Sequence, residues 1–484
     1  MADTQTKKPN ILVLMPDTWR GDTLGCGGHP AVQTPNLDKL AAMGVRFEQA
    51  YTSSPVCMPA RTNCMSGLYC HNTGQWHNYG RFPVEAPTYM QFLQANGYQT
   101  AHIGKSHFYS HAHKPGESFH LDQEKPFLHQ MGHADVLETT GPWGTTGCHS
   151  IMTDAWEQKG LYSTFLADYT KRAKAGPFTA TWPSPLPEAY HMDSFVGRTA
   201  VDYLNALPPD KPFAAFVGFG GPHDPWDPPE PWADKFKDLD VPEPIVPTPP
   251  EPWLGDAARA YHENEMGEAK AVETWQAIRR LYYAKMAHID SLIGDIFECL
   301  EVKGELDNTV IIFWSDHGDR LCDRGRYAKG VFYDESARIP IILRLPGNPG
   351  AGGVCRSIVS INDLFPTILE AAGIEGVSCF GRSLVSATQD SETVFHDAVF
   401  GEVRHGEDHH TMIRTDRYKM LINQQLETLQ LFDMVDDPDE LQNLAGREDM
   451  AATESELTAR ILVWLLQTAT VQDRQGRIRP RALA

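Results

Sequence analysis

The sequence predicts an α/β fold in which helices flank a large, mostly parallel central sheet and a small C-terminal domain carries an antiparallel sheet. Short apolar runs bounded by turn signals are typical of buried parallel strands, and they occur at residues 11–15, 213–219, 310–314 and 339–343. Helix-like segments lie between these runs, whereas strand-like runs follow one another after about residue 375. We therefore expect a large α/β domain at residues 1–375 and a smaller α+β domain at residues 376–484.

The helices are predicted from their start signals and apolar faces. Residues 35–43 (PNLDKLAAM) have a Pro/Asn start and an apolar face, residues 88–95 repeat the apolar face, and residues 271–300 form a long amphipathic stretch. Between residues 108 and 190 His, Gly, Pro and aromatic residues dominate, which predicts long loops more than regular structure. In the C-terminal part AVFGEVR, HTMIRTDRYKMLI and LQLFDM predict strands, and residues 454–468 predict a helix.

The composition excludes several classes of partner. The 484-residue chain has a net charge of −21, whereas binding to nucleic acid or an anionic membrane needs clustered Lys and Arg. It has no long apolar segment and no apolar leader, and its nine scattered cysteines suit a reducing compartment better than a disulfide framework. We therefore expect a cytoplasmic protein that binds neither nucleic acid nor membrane. The basic tail VQDRQGRIRPRALA predicts either a contact within a homo-oligomer or a disordered end.

Acidic and imidazole side chains follow two of the predicted strands directly. Asp17 comes after ILVLMP, and Asp316 and His317 come after TVIIFWS. Ligands bind at the carboxyl ends of strands in such sheets, so these residues could together hold one divalent cation. Carboxylate oxygens suit Mg²⁺, Ca²⁺ or Mn²⁺, and the imidazole disfavours Ca²⁺ slightly. The alternative is that each aspartate only caps a turn after its strand.

A second set of candidate residues is basic. Lys105 and His107 lie in GKSH, His223 follows the strand PFAAFVGFG, and Lys329 lies thirteen residues beyond Asp316. Taken singly, each is more often structural or solvated than functional. Their number at strand ends shifts the balance toward a functional role.

Cys57, Pro59 and Arg61 form the pattern C-x-P-x-R in CMPAR. Pro59 suits the first turn of a helix, which places Cys57 at the positive end of the helix dipole, and Arg61 adds a fork of donors. An anion is favoured there, and the pKa of the thiol is expected to be low. The alternative is a buried, inert cysteine in a strand-to-helix turn.

These motifs carry a family resemblance. CMPAR followed by a helix pattern and GLY, a first strand ending in Asp, GKSH, GGPHDPWDPP and SDHGD resemble the motifs of the formylglycine-dependent sulfatases of the alkaline phosphatase superfamily, in the same order over about 330 residues. The segment IRTDRYKMLI…LQLFDMVDDPDELQNLA is similar to the small C-terminal domain of that family. The resemblance implies an alkaline-phosphatase-like fold.

The resemblance also implies a catalytic apparatus. A formylglycine-generating enzyme would convert Cys57 to formylglycine (3-oxoalanine), whose hydrate attacks sulfur and later expels sulfate. One divalent metal ion would be held by Asp17, Asp316, His317 and the modified residue 57. Arg61 would orient the hydrate, and Lys105, His107, His223 and Lys329 would surround the transferred group. His223 is the first candidate for the general acid and Lys329 the second, while Asn78 matches a polar position near the transferred group.

Three positions depart from the pattern of many sulfatases, which have Asp, Ser and Asn where this chain has Thr18, Ala60 and His317. DTWRGD, CMPAR and SDHGD are similar to the subgroup with choline sulfatases and phosphonate monoester hydrolases, whereas the Lys105 and His107 pair resembles that of sulfatases. The predicted activity is hydrolysis of aryl or small alkyl sulfates. The alternatives are a phosphonate monoester or phosphodiester hydrolase with the same nucleophile, and a binding protein for small anionic esters.

Three tryptophans are candidates for the wall of a leaving-group pocket. Trp76, Trp143 and Trp226 could line a pocket for a cationic leaving group, and packing in the core is the alternative for each.

Overall fold

A computed structural model describes residues 7–111, 119–176, 178–209, 211–245, 272–473 and 475–481. Its strands are Asn10–Asp17 (β1), Val45–Tyr51 (β2), Gln99–Lys105 (β3), Phe119–His120 (β4), Asp135–Thr139 (β5), Cys148–His149 (β6), Phe213–Pro222 (β7), Thr309–Trp314 (β8), Arg338–Arg344 (β9), Gly353–Ser360 (β10), Ala398–His405 (β11), Asp408–Thr415 (β12), Tyr418–Asn423 (β13), Thr428–Asp433 (β14), Thr470–Gln472 (β15) and Ile478–Pro480 (β16). Its helices are Pro35–Met43 (α1), Cys57–Ser66 (α2), Cys70–Thr73 (α3), Tyr89–Ala95 (α4), Lys125–Gln130 (α5), Ile151–Gln158 (α6), Tyr162–Ala175 (α7), Met192–Ala206 (α8), Glu230–Phe236 (α9), Val272–Val302 (α10), Asp334–Ala337 (α11), Leu364–Ala371 (α12) and Ala451–Gln467 (α13).

Eight strands form the central sheet, in the order β10-β2-β9-β8-β1-β7-β3-β5. β9 runs antiparallel to both of its neighbours, and the other adjacent strands are parallel. The predicted mostly parallel sheet is therefore confirmed. The apolar run at residues 339–343 forms the strand that runs in the opposite direction.

Alternate residues of β1 enter two separate cores. Leu12 and Leu14 pack with residues of α1, α8 and α10, whereas Ile11, Val13 and Met15 pack with residues of α2, α4 and α12. Successive side chains of an extended strand point to opposite faces of the sheet, so each core takes every second residue. Helices thus cover both faces, which explains why the strand is an unbroken apolar run.

The C-terminal sheet is antiparallel, in the order β11-β12-β13-β14, as predicted. Its core contains Ile413 and Met420 together with Leu457, Ile461 and Trp464 of α13. Residues 384 and 387 lie in the chain between the two sheets, and they belong to the core of the central sheet. They are buried there among the residues that pack on that sheet. A domain boundary at residue 375 stays a prediction. No helix among the described residues is both long and apolar enough to span a bilayer.

The prediction of long loops between residues 108 and 190 is wrong over much of that region, which contains α5, α6, α7 and β5. Met152, Trp156, Phe165 and Tyr169 form a small separate core. Their spacing on two short helices is interrupted by polar residues, so no long apolar pattern marks them in the sequence. Residues 112–118 of this region lie outside the described part of the chain.

A substitution at Gly104 tests how closely β3 approaches β7. Gly104 has a φ of +88°, and a Cβ atom there would lie 2.1 Å from the carbonyl oxygen of Gly218. Gly97 has a φ of +87°, and a Cβ atom there would meet no other part of the protein within 4 Å, so it serves as the control. We expect Gly97→Ala to lower the free energy of unfolding by roughly 1–2 kcal/mol through backbone strain alone.

Gly104→Ala should cost about 1–3 kcal/mol more than this control, because the added methyl group must displace backbone. Urea denaturation of both variants measures the difference. Equal losses would show that the contact with Gly218 does not constrain the sheet.

Candidate active site

Neighbouring strands of the central sheet end in the residues singled out from the sequence. Asp17 ends β1 and Lys105 ends β3, while Asp316 and His317 follow β8 and His223 follows β7. These four strands are adjacent and parallel, so their carboxyl ends meet at one edge of the sheet. The fold therefore collects residues that are far apart along the chain.

Cys57 is the first residue of α2 and lies against this edge. Its Sγ atom is 3.8 Å from Oδ1 of Asp17 and 3.2 Å from Nε2 of His317. Pro59 lies in the first turn as predicted, which places the thiol at the positive end of the helix dipole. Burial and the Asp17 carboxylate raise the pKa of the Cys57 thiol, but the surrounding cations lower that pKa by more, to well below its usual value.

Arg61 joins the two carboxylates of the site. It is 1% exposed, and it donates from Nη2 to Oδ2 of Asp17 at 2.8 Å and from Nε to Oδ2 of Asp316 at 2.9 Å. Nη1 donates to the backbone carbonyl of Lys105 at 2.9 Å, and the Lys105 ammonium in turn contacts Oδ2 of Asp17. The planar guanidinium therefore sets the spacing of both carboxylates. Its predicted role toward a modified residue 57 stays a prediction.

The four predicted metal ligands form one group. The ligand atoms of Asp17, Cys57, Asp316 and His317 lie within 4.8 Å of one another, and all four residues are buried. Nδ1 of His317 donates to the carbonyl oxygen of Gly318 at 2.9 Å, which turns Nε2 toward the group. Two carboxylates and an imidazole suit a divalent cation such as Mg²⁺, Mn²⁺ or Ca²⁺. The residues present therefore fit one divalent metal ion.

Thr18 does not belong to this ligand group. Its hydroxyl donates to Oδ1 of Asp17 at 2.6 Å, and its backbone N–H donates to Oδ1 of Asp316 at 3.0 Å. Thr18 has a φ of 71°, a left-handed conformation that is strained for a β-branched residue. Its carbonyl accepts a hydrogen bond from the Tyr282 hydroxyl at 2.8 Å. Thr18 thus orients both carboxylates, a role that the sequence did not indicate.

His223 and Lys329 are in contact, with 2.7 Å between Nε2 and Nζ. Nδ1 of His223 lies 2.7 Å from the carbonyl oxygen of Asp224 and 3.0 Å from its Oδ1, so Nδ1 carries a proton. Burial lowers the pKa of His223, but the Asp224 and Asp17 carboxylates together raise it by more, and the resulting pKa is about 9. Trp143 donates to the other carboxylate oxygen of Asp224 at 2.8 Å. The imidazole is therefore held in one orientation, with Nδ1 on Asp224 and Nε2 facing Lys329.

A cavity of about 330 Å³ opens at the same edge of the sheet. Its lining contains five residues singled out from the sequence, namely Asn78, Lys105, His107, Trp143 and His223. It also contains Tyr79, His111, Thr140, Gly141, Pro142, Gly144, Thr146 and Gly147. The structure thus brings the predicted basic residues together, while their individual roles stay predictions.

Asn78 is oriented by the start of α2, because its Oδ1 accepts the backbone N–H of Met58 at 2.9 Å. Of the three candidate tryptophans for a pocket wall, Trp143 lines the cavity. For Trp226 the alternative holds, since this residue is 1% exposed and packs in the core. Trp76 packs against His409 with ring centroids 4.6 Å apart and does not line this cavity.

His111 and Thr140 are among the cavity residues that were missed in the sequence. His111 stacks on His107 with ring centroids 5.1 Å apart, and its Nδ1 lies 2.8 Å from Oγ1 of Thr140. Both lie in the region predicted as loops, and the repeated histidines after GKSH were the available signal. Burial lowers the pKa of His107 to about 3, so its imidazole is neutral.

Comparison with known proteins agrees with this geometry. The family profile described as "Sulfatase" matches residues 9–374, and the one described as "N-sulphoglucosamine sulphohydrolase, C-terminal" matches residues 322–466. An arylsulfatase of Clostridium perfringens is 32% identical over 459 residues, which cover 91% of each chain. A choline-sulfatase of Rhizobium meliloti is 28% identical over 503 residues, covering 98% of this chain and 90% of the relative.

Among solved structures, a phosphonate monoester hydrolase of Agrobacterium radiobacter superimposes with a TM-score of 0.76. It is 24% identical, and the match covers 98% of this chain and 100% of that one. At this identity the likeness establishes a shared fold.

Replacing one carboxylate tests the metal group. We expect Asp316→Asn to weaken Mn²⁺ binding at least about tenfold, because the variant loses a charged oxygen ligand. Isothermal titration calorimetry on metal-stripped protein measures the affinity. Asp290→Asn is the matched control, since the Asp290 carboxylate is buried but binds the N–H groups of Asn36 and Leu37 at the start of α1. Unchanged affinity in Asp316→Asn would contradict the assignment.

Proposed function

The chain belongs to the sulfatase family of the alkaline phosphatase superfamily and is a sulfuric ester hydrolase, and on that premise we propose that it hydrolyses aryl or small alkyl sulfate monoesters with a nucleophile made from Cys57. One observation carries the proposal. Cys57 begins α2 beside the group of Asp17, Asp316 and His317, at the edge where the cationic cavity opens. A convertible residue, a metal group and anion-binding side chains therefore meet in one place.

Members of this family generally use a metal ion and formylglycine. Here formylglycine made from Cys57 by a formylglycine-generating enzyme would supply the nucleophilic oxygen, and a divalent ion bound by Asp17, Asp316, His317 and residue 57 would supply Lewis acidity. The chain itself favours negative charge at this position. The helix dipole of α2 and nearby Lys105 and Lys329 lower the free energy of an anion at residue 57.

The cavity cations suit the transferred group. A sulfate ester carries negative charge on its non-bridging oxygens, and preorganised donors stabilise that charge as it redistributes during reaction. Lys105 provides an ammonium group beside Asp17, and His107 provides a neutral imidazole. Asn78 completes the polar side of the cavity near the start of α2.

His223 is proposed as the general acid that protonates the leaving oxygen. It lines the cavity, its pKa is raised to about 9, and Asp224 fixes its tautomer through Nδ1. Nε2 lies at the cavity within 2.7 Å of Nζ of Lys329, so these two nitrogens share one proton in their contact, and Lys329 is the alternative donor. A donor that is protonated at neutral pH suits a leaving alkoxide or phenoxide.

Sulfur and phosphorus esters present similar tetrahedral anions, so a phosphonate monoester or phosphodiester hydrolase with the same nucleophile is the second candidate. The likeness in fold to a phosphonate monoester hydrolase fits it. The paired Lys105 and His107 in the cavity favour sulfate. A protein that only binds such esters would need no convertible residue beside the metal group. The cytoplasmic location and the homo-oligomer stay predictions.

Conversion and substrate class are tested together. We expect mass spectrometry of the tryptic peptide with residue 57 to show formylglycine after co-expression with the generating enzyme. The purified protein should then hydrolyse 4-nitrophenyl sulfate with a higher kcat/KM than a phenylphosphonate monoester or a bis-aryl phosphodiester. Cys57→Ala should lower kcat by a factor on the order of 10³ or more, since it removes the nucleophile. A higher kcat/KM on the phosphorus esters would contradict the proposal.

The general acid is tested by leaving-group dependence. Replacement of the proposed proton donor by His223→Gln should lower kcat for phenyl sulfate by about 10²–10⁴, because phenoxide needs protonation as it leaves. The loss for 4-nitrophenyl sulfate should be much smaller, since nitrophenolate leaves more readily. His133→Gln, at a buried histidine that does not line the cavity, is the control. Equal losses on both esters would assign proton donation to another group.

A further inference from the structure

The segment that carries His223 is bound by a lysine of the long helix α10. Lys285 is 0% exposed, and its ammonium group is confined to contacts with this segment and its neighbours. Nζ donates to the carbonyl oxygen of His223 at 3.1 Å, to that of Pro225 at 3.1 Å and to Oδ1 of Asp227 at 2.8 Å. An ammonium has three N–H donors, so all of them serve one stretch of five residues.

The charge on Lys285 is matched by a single buried carboxylate. Asp227 is 3% exposed, and its second oxygen accepts the Tyr169 hydroxyl at 2.8 Å. Burial raises the pKa of Asp227, but the basic side chains around it, Lys285 first among them, together lower that pKa below its usual value. The Asp227 carbonyl oxygen lies 3.1 Å from Nε2 of His191, which secures the backbone as well. A buried ion pair whose hydrogen bonds are satisfied resists displacement, since moving either charge leaves the other without a partner.

The chain before His223 is equally constrained. Asp193 of α8 accepts the backbone N–H groups of Gly220 and Gly221 at 3.0 Å and 2.9 Å. A Cβ atom on Gly221 would lie 2.8 Å from Cε of Lys285 and 2.7 Å from Oδ2 of Asp193. The end of β7 is thus packed directly against the lysine side chain, with no room for a larger residue.

Lys285 acts from outside the cavity. It is absent from the cavity lining, and its three hydrogen bonds go to the segment rather than to the metal group. Two of its three acceptors are backbone carbonyls on either side of Asp224, the residue that orients Nδ1 of His223. The ammonium therefore sets the backbone path that places both the imidazole and the carboxylate that orients it.

We propose that Lys285 is a positioning residue for proton transfer, which holds the segment of residues 223–227 so that Nε2 of His223 faces the leaving oxygen. The inference rests on the proposed role of His223. The ion pair with Asp227 is part of the same device, because it fixes the ammonium that binds the two carbonyl oxygens. A general acid must lie within hydrogen-bonding distance of the leaving oxygen, so a small shift of this segment lowers the rate of proton transfer more than it lowers binding.

The experiment compares kcat and KM of the formylglycine-containing protein and its variants on 4-nitrophenyl sulfate and phenyl sulfate. Lys285→Met keeps an unbranched side chain and removes the ammonium. We expect kcat for phenyl sulfate to fall about 100-fold, kcat for 4-nitrophenyl sulfate to fall far less, and KM for both to stay within about twofold. If Lys285→Met does not fold, Asp227→Asn serves as the second variant and should give the same pattern in a weaker form.

Arg344→Met is the matched control for loss of a buried cation. Arg344 is 1% exposed and donates to the carbonyl oxygens of Leu306 and Thr309 at 2.6 Å each, at the opposite end of β8. This variant should lower thermal stability without any preference between the two esters. A double variant of Lys285→Met with His223→Gln should show no leaving-group-dependent loss beyond that of His223→Gln, because one residue acts through the other.

The outcomes separate this inference from the proposed function. A parallel fall in kcat for both esters in Lys285→Met, or additive losses in the double variant, would overturn the positioning role while sulfate hydrolysis stands. If the formylglycine-containing protein without any substitution turns over neither sulfate ester, the proposed function fails and the inference fails with it. A selective loss on phenyl sulfate that vanishes in the His223→Gln background supports the inference.

Discussion

The buried guanidinium of Arg61 is the contact on which the site depends. Asp17 and Asp316 lie at the ends of adjacent strands, and two carboxylates at such a place repel each other strongly in a low-dielectric interior. Burial lowers the pKa of Arg61, but the two carboxylates raise it by more, so the guanidinium stays charged between them. Removing it would take away the cation that both buried carboxylates share, which costs several kcal/mol. The other groups at this edge of the sheet are arranged around these two carboxylates.

Other cations at this edge are also held by buried carboxylates. Lys105 contacts Asp17 from β3, and Thr18 supplies two hydrogen bonds to the carboxylates from the turn after β1. Farther along the sheet, Asp224 holds His223 and Asp227 holds Lys285. These three cations thus have anionic partners, which orient them without occupying the cavity. This arrangement reconciles a chain of net charge −21 with a site for an anionic ester.

The small C-terminal sheet contributes to this site. Nε2 of His405, at the end of β11, lies 2.7 Å from the carbonyl oxygen of Gly330, next to Lys329. The Gly330 N–H donates to the carbonyl oxygen of Pro55 at 3.0 Å, two residues before Cys57. The hairpin of β11 and β12 therefore braces both the loop that carries Lys329 and the segment that precedes Cys57.

Sequence alone determined the elements whose signals are local. The apolar runs of β1, β7, β8 and β9, the helix starts and the CMPAR motif depend on residues close together in the chain, so their periodicity or spacing reports them directly. The motif order was sufficient to indicate the family. Only the tertiary structure decided that β9 runs antiparallel, that much of residues 108–190 forms helices and that Thr18, His111 and Lys285 belong to the site or its support. Those features arise from strand pairing and from contacts between distant segments, and no short pattern in the chain encodes which distant backbone carbonyl or carboxylate a buried side chain will meet.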